Sequence, residues 1–372
     1  MITYIVPTRD RHAELGRTLA ALGRLGAHDR RAPGHVPAEV VVVDNASWPA
    51  PAVPARLANG MTARLVALGD NRGAASRNAG AELSDPSSDW LVMLDDDSSP
   101  LDDGHVAVLG EQPEDVVAVS ADIHLAGRGA RESGGLPEVF IGCGVAIRRD
   151  AFTELGGYDA SFGYYAEEYD LAARMLLAGG RVVFDPRFVV EHRKVEHGRD
   201  MNEILGRLVR NNGWVVQRYA PEAELERWMG ETITRYRAIA EREGAVAGYE
   251  RGLAELRATA GGQRRTPMDA GMWARFTGEA QARAALMAAL DEAPFDAGRL
   301  IARGKNAGVI ERVLESLGVE VREDAPVDVV GTLSPGPMID ALERARMGGR
   351  RTVAAWLGAS SAAREPARAT VA

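Results

Sequence analysis

The amino-acid sequence predicts an α/β fold with a mostly parallel, open sheet flanked by helices. Short apolar strands alternate with segments of helical spacing along about the first 200 residues, which is the order expected of such a sheet. Residues 40–43 are consecutive valines, and a run without polar alternation indicates a strand buried on both faces. Polar residues follow where several strands end, as at the ligand-binding edge of an open sheet.

The predicted elements of the first region follow in regular order. Leu15, Leu19 and Leu22 share one face of a helix predicted over residues 10–25. Further strands are predicted at residues 2–6, 64–68, 90–94, 116–120, 139–147, 181–184 and 189–192. Further helices are predicted at residues 73–83, 149–155 and 168–177. The glycine-rich segment 124–137 predicts a mobile loop.

Beyond about residue 200 the pattern changes to long helical segments, and a small α/β pattern returns near the C-terminus. Because domains usually contain about 100–200 residues, a chain of 372 residues predicts more than one. We expect a catalytic domain in residues 1–220, a helical extension in 221–295, a small α/β accessory domain in 296–358 and a disordered tail in 359–372.

Composition narrows the class of protein. The net charge is -9 and the isoelectric point is about 5.4, which argues against a long basic surface for nucleic acid. Cys143 is the single cysteine, so no disulfide forms within the chain, and we expect it to be buried and inert. No apolar run reaches about 18 residues and no signal-peptide pattern is present, so we expect a cytoplasmic protein without a membrane span.

Three aspartates, Asp95, Asp96 and Asp97, come directly after the predicted strand 90–94. Ligands of open parallel sheets bind beyond the carboxyl ends of strands. Oxygen ligands in this position suit Mg²⁺ or Mn²⁺, which can bridge a diphosphate and stabilise the charge on it as it departs. An acidic turn or a helix cap is the structural alternative, and the strand before the aspartates favours the metal site.

Polar residues also follow the first two strands. Asp44 and Asn45 come after the valine run, where an acid can accept hydrogen bonds from a ribose or a nucleobase. A turn stabilised by these side chains is equally consistent with the sequence. A dinucleotide-binding dehydrogenase would need G-x-G-x-x-G after its first strand. Pro7, Thr8 and Arg9 stand there instead, which argues against an oxidoreductase of that type.

Two predicted helices begin with polar residues. Asn71 precedes the helix that carries Arg77, and a helix N-terminus attracts anions, so Arg77 is a candidate phosphate ligand or else a surface arginine. Glu167, Glu168 and Asp170 open the second helix. They stabilise it through its dipole, and one of them is a candidate general base.

His192 lies 24 residues beyond Glu168, at the end of a predicted strand. A histidine in this position is a candidate metal ligand or, as the structural alternative, a solvated or hydrogen-bonded side chain.

Taken in order, these segments resemble the glycosyltransferase family 2 proteins. The resemblance covers about residues 1–220 and is strongest with the rhamnosyl- and galactofuranosyl-transferase-like branch, in which a segment like residues 210–212 follows the catalytic core. It implies a GT-A fold. The matching segments are residues 5–9, 43–47, 71–80, 94–97, 142–149, 156–159 and 167–171.

The resemblance implies a role for each matching residue. Asp44 would read the nucleobase and Arg77 would lie near the diphosphate. Asp95 and Asp97 would form a D-x-D motif for Mn²⁺ or Mg²⁺, with Asp97 the direct ligand and His192 completing the metal site. The implied donor-binding residues are Pro7, Thr8, Arg9, Asp44, Asn45, Asn71, Arg77, Asp95 and Asp96.

The resemblance also implies the catalytic base. The family usually has a Glu-Asp pair whose second acid is the base, and Glu168 occupies that position here. Its side chain is longer than aspartate, so Glu167 and Asp170 are the substitutes. A base there would deprotonate an acceptor hydroxyl, and the resemblance implies inversion at the sugar carbon.

The implied donor is a nucleotide-diphosphate sugar, with a UDP-sugar favoured. The acceptor is open between a saccharide, a lipid-linked glycan, a small metabolite and a modified nucleobase. The C-terminal region could bind the acceptor, form a homo-oligomer or contact a partner protein. The competing predictions are a nucleotidyltransferase, which would carry a glycine-rich basic signature after its first strand, and a noncatalytic GT-A-like binding module.

Overall fold

The computed structural model describes residues 1–194 and 200–356, so the predicted tail at 359–372 lies outside the described residues. The chain divides into two compact units. The first comprises residues 1–128 and 138–273, and we call it the catalytic unit. The second comprises residues 129–137 and the chain from 274 onward, and we call it the C-terminal unit. Within the described residues, no helix is long and apolar enough to span a membrane.

The strands within the described residues range from two residues in β7 to twelve in β9. In chain order they are β1 (Ile2–Thr8), β2 (Ala38–Asp44), β3 (Thr62–Ala67), β4 (Trp90–Met93), β5 (Ser98–Pro100), β6 (Val116–Leu125), β7 (Ala130–Arg131), β8 (Val145–Arg148), β9 (Arg181–His192), β10 (Ala297–Ile301), β11 (Glu320–Val321), β12 (Val327–Val330) and β13 (Thr352–Val353).

The α-helices flank the strands and form most of the chain between the two sheets. In chain order they are α1 (His12–Leu22), α2 (Ser76–Glu82), α3 (Gly104–Gly110), α4 (Arg149–Glu154), α5 (Glu167–Leu177), α6 (Met201–Tyr219), α7 (Glu222–Arg242), α8 (Val246–Thr259), α9 (Ala270–Thr277), α10 (Glu279–Glu292), α11 (Ala307–Ser316) and α12 (Pro335–Arg346).

The sheet of the catalytic unit has the strand order β3-β2-β1-β4-β8-β6-β9-β5. Strands β3, β2, β1 and β4 are parallel, β8 runs antiparallel to both its neighbours, and β5 runs antiparallel to β9. Thr8 pairs with Asp44 across β1 and β2, and β4 lies on the other side of β1. The ends of these three strands therefore meet at one edge of the sheet, where the polar residues were predicted to converge.

Apolar side chains hold this sheet between its helices. Every residue of β4 is buried, as are all four valines of β2. Leu15, Leu19 and Leu22 of α1 pack into the core on one side. On α2, Gly80 lies so close to β1 that a Cβ atom would stand 2.7 Å from Cγ2 of Ile5. Because only glycine allows this approach, α2 brings Arg77 directly behind the strand ends.

The C-terminal unit has its own small parallel sheet, with the order β11-β10-β12-β13. Helix α12 starts with Pro335 in its first turn, a position where proline is favoured. Residues 129–137 belong to this unit, because Arg131 forms ion pairs with Asp340 and Glu343 of α12 at 2.7 Å and 2.9 Å.

The predicted fold class is confirmed, namely an α/β protein with a mostly parallel open sheet and a small C-terminal α/β region. The division of contacts differs from the predicted boundaries at 220/221 and 295/296, since α7 and α8 group with the catalytic unit and α10 with the C-terminal unit. The segment predicted as a mobile loop, 124–137, contains the end of β6 and strand β7. The predicted strands at 181–184 and 189–192 form one strand, β9.

Candidate functional site

A polar cavity of about 240 Å³ opens at the ends of β1, β2 and β4. Its lining comes from chain segments that are far apart in sequence, and it mixes acidic, basic and amide side chains. The lining residues are Pro7, Thr8, Arg9, Arg11, Asn45, Gly73, Arg77, Asp95, Asp96 and Tyr164. The cavity therefore brings together seven of the residues predicted from the sequence to bind a donor.

Asp96 is the most enclosed acid in the cavity wall. It is 3% exposed, accepts a hydrogen bond from Oγ1 of Thr8 at 2.9 Å and lies 2.8 Å from Nη1 of Arg11. Burial raises the pKa of Asp96 to about 7, although Arg11 and Thr8 act in the opposite direction. The carboxyl group of Asp96 is thus held by Thr8 at the end of β1 and by Arg11.

Asp97 lies beside Asp96 and shares Arg11 with it, but its second partner is His192. Nη2 of Arg11 donates to its carboxylate at 2.5 Å, and Nε2 of His192 is 3.4 Å from Oδ1. Burial would raise the pKa of Asp97, but His192 and Arg11 outweigh burial and hold that pKa well below its ordinary value. Asp97 is therefore ionised across the physiological range, next to the histidine that was predicted to share its site.

Arg77 connects the acidic residues to the opposite wall of the site. It is 5% exposed, and its Nη2 pairs with Oδ1 of Asp95 and donates to the backbone oxygens of Leu94 and Gly142, at 3.0 Å and 3.4 Å respectively. The predicted surface alternative for Arg77 does not describe this buried position. The guanidinium group is a fixed positive charge at the edge of the cavity.

The turn before α2 is held by amide side chains. Gly73 has a φ of +61°, and a Cβ atom there would lie 2.3 Å from the backbone oxygen of Gly163, so the position requires glycine. Asn45 accepts from the backbone N–H of Arg72 at 3.1 Å and donates to Oγ of Ser76 at 3.0 Å. These bonds tie the end of β2 to the start of α2 and leave Asn45 and Gly73 in the cavity wall.

Asp44 and Asn71 mainly contact residues close in sequence, and Oδ1 of Asn71 also lies 3.5 Å from the hydroxyl of Tyr164 in the cavity wall. Oδ1 of Asp44 accepts from the backbone N–H of Ser47 at 3.0 Å and from its hydroxyl at 2.5 Å, which is the turn that the sequence offered as the alternative. Oδ1 of Asn71 accepts from the N–H of Gly73 at 3.0 Å. Neither residue lines the cavity of the catalytic unit.

The start of α5 places its acids in unlike surroundings. Glu168 is half-buried, and its Oε1 accepts from the backbone N–H of Gly142 at 3.3 Å. Glu167 is buried, and burial together with the charge of Glu168 raises the pKa of Glu167 well above its ordinary value. Gly142 thus contacts Arg77 through its carbonyl oxygen and Glu168 through its N–H group.

Asp170 is a structural anchor in this arrangement. It is fully buried, and its oxygens accept from Arg174 at 2.8 Å, from Arg218 at 2.8 Å and from the hydroxyl of Tyr219 at 2.6 Å. Two guanidinium groups and a hydroxyl surround the carboxylate, so Asp170 joins α5 to the end of α6.

The segment before α5 is held by Asn211 of α6. Nδ2 of Asn211 donates to the backbone oxygens of Phe162, Tyr164 and Tyr165, at 3.0 Å, 2.9 Å and 2.7 Å. Tyr165 adopts a left-handed conformation with φ of 74°, which a non-glycine residue keeps only where its surroundings hold it. Asn211 therefore positions Tyr164 in the cavity wall just ahead of the acids of α5.

Several buried polar atoms near the cavity have no hydrogen-bond partner among the described residues. They are Nε of Arg77, Oη of Tyr158 and Oε2 of Glu167. The charges of Arg77 and Glu167 both act on Tyr158, so the three side chains form one cluster. Unpaired buried groups are costly and are often found at functional sites.

A group of possible metal ligands lies at the same edge of the sheet. Asp95, Cys143 and His192 each offer a ligand atom, and these three atoms lie within 4.8 Å of one another. Sγ of Cys143 is 3.7 Å from Nδ1 of His192. The cluster lies beside Asp97, which contacts the other nitrogen of the same imidazole ring.

Two residues of this site, Arg11 and Cys143, were not predicted from the sequence to belong to it. Arg11 pairs with two of the three aspartates, and its only signal was a basic residue shortly after the first strand. Cys143 was expected to be inert, and it is buried as expected but lies against His192. Cys143 and His192 are 49 positions apart in the sequence, and no sequence pattern joins them.

One protein family matches part of this sequence. The family described as Glycosyl transferase family 2 matches residues 3–163, which include the ends of β1, β2 and β4 and most of the cavity wall. No protein of curated function matches this sequence.

Solved structures with a similar chain path are also glycosyltransferases. A mannosyltransferase from Pyrobaculum calidifontis, solved with GDP-Man and Mn²⁺, is 18% identical, with 76% of this chain and 80% of that chain covered and a TM-score of 0.45. TarS of S. aureus, residues 1–349 with UDP-GlcNAc, is 14% identical, with 85% and 91% covered and a TM-score of 0.48. At such values the likeness fixes neither the donor nor the acceptor of this chain.

The family match fits the fold and the residues at the sheet edge, and it favours sugar transfer over the nucleotidyltransferase and noncatalytic alternatives. Residues 3–163, less than half of the chain, match the glycosyl transferase family 2 model, and the enzymatic activity of this protein is that of a glycosyltransferase.

Proposed function

We propose that this enzyme transfers a sugar from a nucleotide-diphosphate donor to an acceptor hydroxyl, with the help of a divalent cation and with inversion at the sugar carbon. A UDP-sugar is the favoured donor, and the rhamnosyl- and galactofuranosyl-transferase-like branch is the favoured subgroup. The observation that carries the proposal is the backbone of Gly142, which lies between Arg77 on the donor side and Glu168 on the acceptor side.

The donor side combines opposite charges around the cavity. Arg9, Arg11 and Arg77 line it together with Asp95 and Asp96. Arginine side chains match the geometry of phosphate oxygens, and fixed positive charge stabilises a diphosphate as it departs. Asn45 and Thr8 add polar groups for the rest of the donor.

The residues present fit a divalent cation. Asp95, Asp97 and His192 make up the proposed site, since carboxylate and imidazole groups are common ligands of divalent metals. Asp97 is held ionised by its neighbours, as a ligand requires. A bound cation would neutralise negative charge on the departing diphosphate.

Glu168 is the proposed base. Among the three acids of α5 it is the one that is half-buried, whereas Glu167 is enclosed with a raised pKa and Asp170 is enclosed by arginines. Glu168 would take the proton of the acceptor hydroxyl while the hydroxyl oxygen attacks the sugar carbon. Attack from the side opposite the diphosphate inverts that carbon.

Thermal-shift titration tests the donor site directly. UDP, GDP, dTDP and CDP are each added with and without Mn²⁺, and we expect one nucleotide to raise the melting temperature only when the metal is present. The same titration with Asp97→Asn should show a weaker shift, because this variant removes a charge from the metal site. Asp115→Asn is the matched control, since Asp115 is an exposed acid paired with an exposed arginine.

The outcomes separate the alternatives. A metal-dependent rise in melting temperature with one nucleotide, lost in Asp97→Asn and kept in Asp115→Asn, supports the donor site. It also identifies the nucleobase of the donor. No shift with any nucleotide in either condition would overturn the proposal.

A further inference from the structure

Cys143 lies at the edge of the apolar core and also belongs to a group of possible metal ligands. It is the only cysteine of the chain and is 5% exposed. Its Sγ is 3.7 Å from Nδ1 of His192, and a carboxylate oxygen of Asp95 completes a group of ligand atoms within 4.8 Å. Thiol, imidazole and carboxylate thus meet at one point beside the donor cavity.

Both nitrogen atoms of the His192 imidazole ring have a neighbouring side chain. Nδ1 faces the sulfur of Cys143, while Nε2 is 3.4 Å from Oδ1 of Asp97. A histidine that binds a metal through one nitrogen usually donates its other N–H to a carboxylate, which fixes the tautomer and the ring orientation. Asp97 has the position of such an orienting carboxylate.

The backbone around the three residues is firmly held. His192 pairs with Ser98 of β5 and with Leu125 of β6. The N–H group of Gly144 donates to the oxygen of Ile141 at 3.2 Å, so the turn that carries Cys143 is closed by its own hydrogen bond. Ligands on fixed backbone keep their spacing when a cation binds, which favours a defined donor set.

We propose that Asp95, Cys143 and His192 are the direct ligands of the cation, and that the sulfur makes the site prefer a thiophilic cation such as Zn²⁺ or Co²⁺ over Mg²⁺. This rests on the proposed function's cation at this sheet edge and revises its ligand set, because Cys143 takes the place of Asp97 as a direct ligand. Sulfur and imidazole ligands suit zinc-like metals, whereas Mg²⁺ prefers oxygen ligands alone. Asp97 acts through His192 as a positioning residue.

Cobalt spectroscopy on the full chain tests this assignment. Bound Co²⁺ gives a near-ultraviolet charge-transfer band only when a thiolate ligates it, and the single cysteine means that any such band belongs to Cys143. We expect the band in the wild type and its loss in Cys143→Ser. Calorimetric titration should show that the ratio of Zn²⁺ to Mg²⁺ affinity falls by about tenfold or more in Cys143→Ser.

Two further measurements keep the test valid even if Cys143→Ser does not fold. His12→Gln replaces an exposed histidine and should keep both the band and the affinity ratio. On the wild type, Zn²⁺ should slow alkylation of the cysteine thiol while Mg²⁺ should not. Absence of the band in the wild type, or equal protection of the thiol by both cations, would overturn the assignment.

Failure of the Cys143 assignment can be distinguished from failure of the proposed function. A metal-dependent nucleotide shift without a thiolate band leaves the donor site standing and rejects Cys143 as a ligand. A thiolate band without any nucleotide response supports the cation site and rejects the proposed donor.

Discussion

Two acidic clusters of the catalytic unit have similar composition and different surroundings. The first, Asp95 to Asp97, follows β4, and the second, with Glu167, Glu168 and Asp170, opens α5. In the first cluster, Asp95 and Asp96 line the cavity. Arg77 pairs with Asp95, and Arg11 pairs with both Asp96 and Asp97. In the second, one acid is enclosed by arginines and another is buried without such a partner.

Two acids with equal exposure can have pKa values shifted in opposite directions, because partners outweigh burial at one and not at the other. Asp96 and Asp97 are equally exposed at 3%, but the pKa of Asp96 is raised by burial while His192 and Arg11 keep the pKa of Asp97 low. Glu167 and Asp170 are both buried, and only Asp170 has guanidinium partners. The first cluster therefore contains two acids whose pKa values are shifted in opposite directions.

The largest expected effect is a loss of kcat when Glu168 is replaced. Glu168→Gln keeps the size of the side chain and removes its ability to take a proton, so kcat should fall by about 100- to 10,000-fold with little change in KM. The melting temperature should stay that of the wild type. Glu154→Gln, an exposed acid of α4, is the control and should leave kcat unchanged. A kcat within about twofold of wild type in Glu168→Gln would remove Glu168 as the base.

The next effect is on stability and concerns Asp170. Asp170→Asn leaves the buried ends of Arg174 and Arg218 without their counter-charge, so the free energy of unfolding should fall by about 3 kcal/mol. Chemical denaturation measures this change. Asp115→Asn breaks an exposed pair with Arg181 and should cost less than about 1 kcal/mol. Equal losses in the two variants would contradict the anchoring role of Asp170.

The smallest expected effect is a change in how the free energy of unfolding varies with pH when Glu167 is replaced. Its pKa in the folded protein is raised above the ordinary value of 4.5, so the folded state keeps a proton that the unfolded chain has released. The free energy of unfolding should therefore fall as pH rises above about 4.5 towards the raised pKa. Glu167→Gln cannot ionise and should flatten this part of the curve. Denaturation at a series of pH values from about 5 to about 8 compares the two slopes, and parallel curves would show that Glu167 is not responsible.

Much of the catalytic unit follows from local sequence. The valines of β2 and the apolar residues of β4 predict buried strands because an interior parallel strand has no solvent-facing side. Polar residues after β1, β2 and β4 predict the edge at which the cavity lies, because parallel strands end together. Strands β5 and β10 carry weaker signals, since β5 has three residues with a proline and β10 contains Gly298 and Arg299.

Tertiary structure decided the partners of the predicted residues. The sequence by itself determined which acids stand at the sheet edge and at the start of α5. It could not show that Arg11 pairs with Asp96 and Asp97, that Asp170 is enclosed by arginines, or that Cys143 lies against His192. Those contacts depend on strand order and register across the sheet. Because burial and neighbouring charges act through space rather than along the chain, the surroundings of each acid depend on how the strands and helices come together.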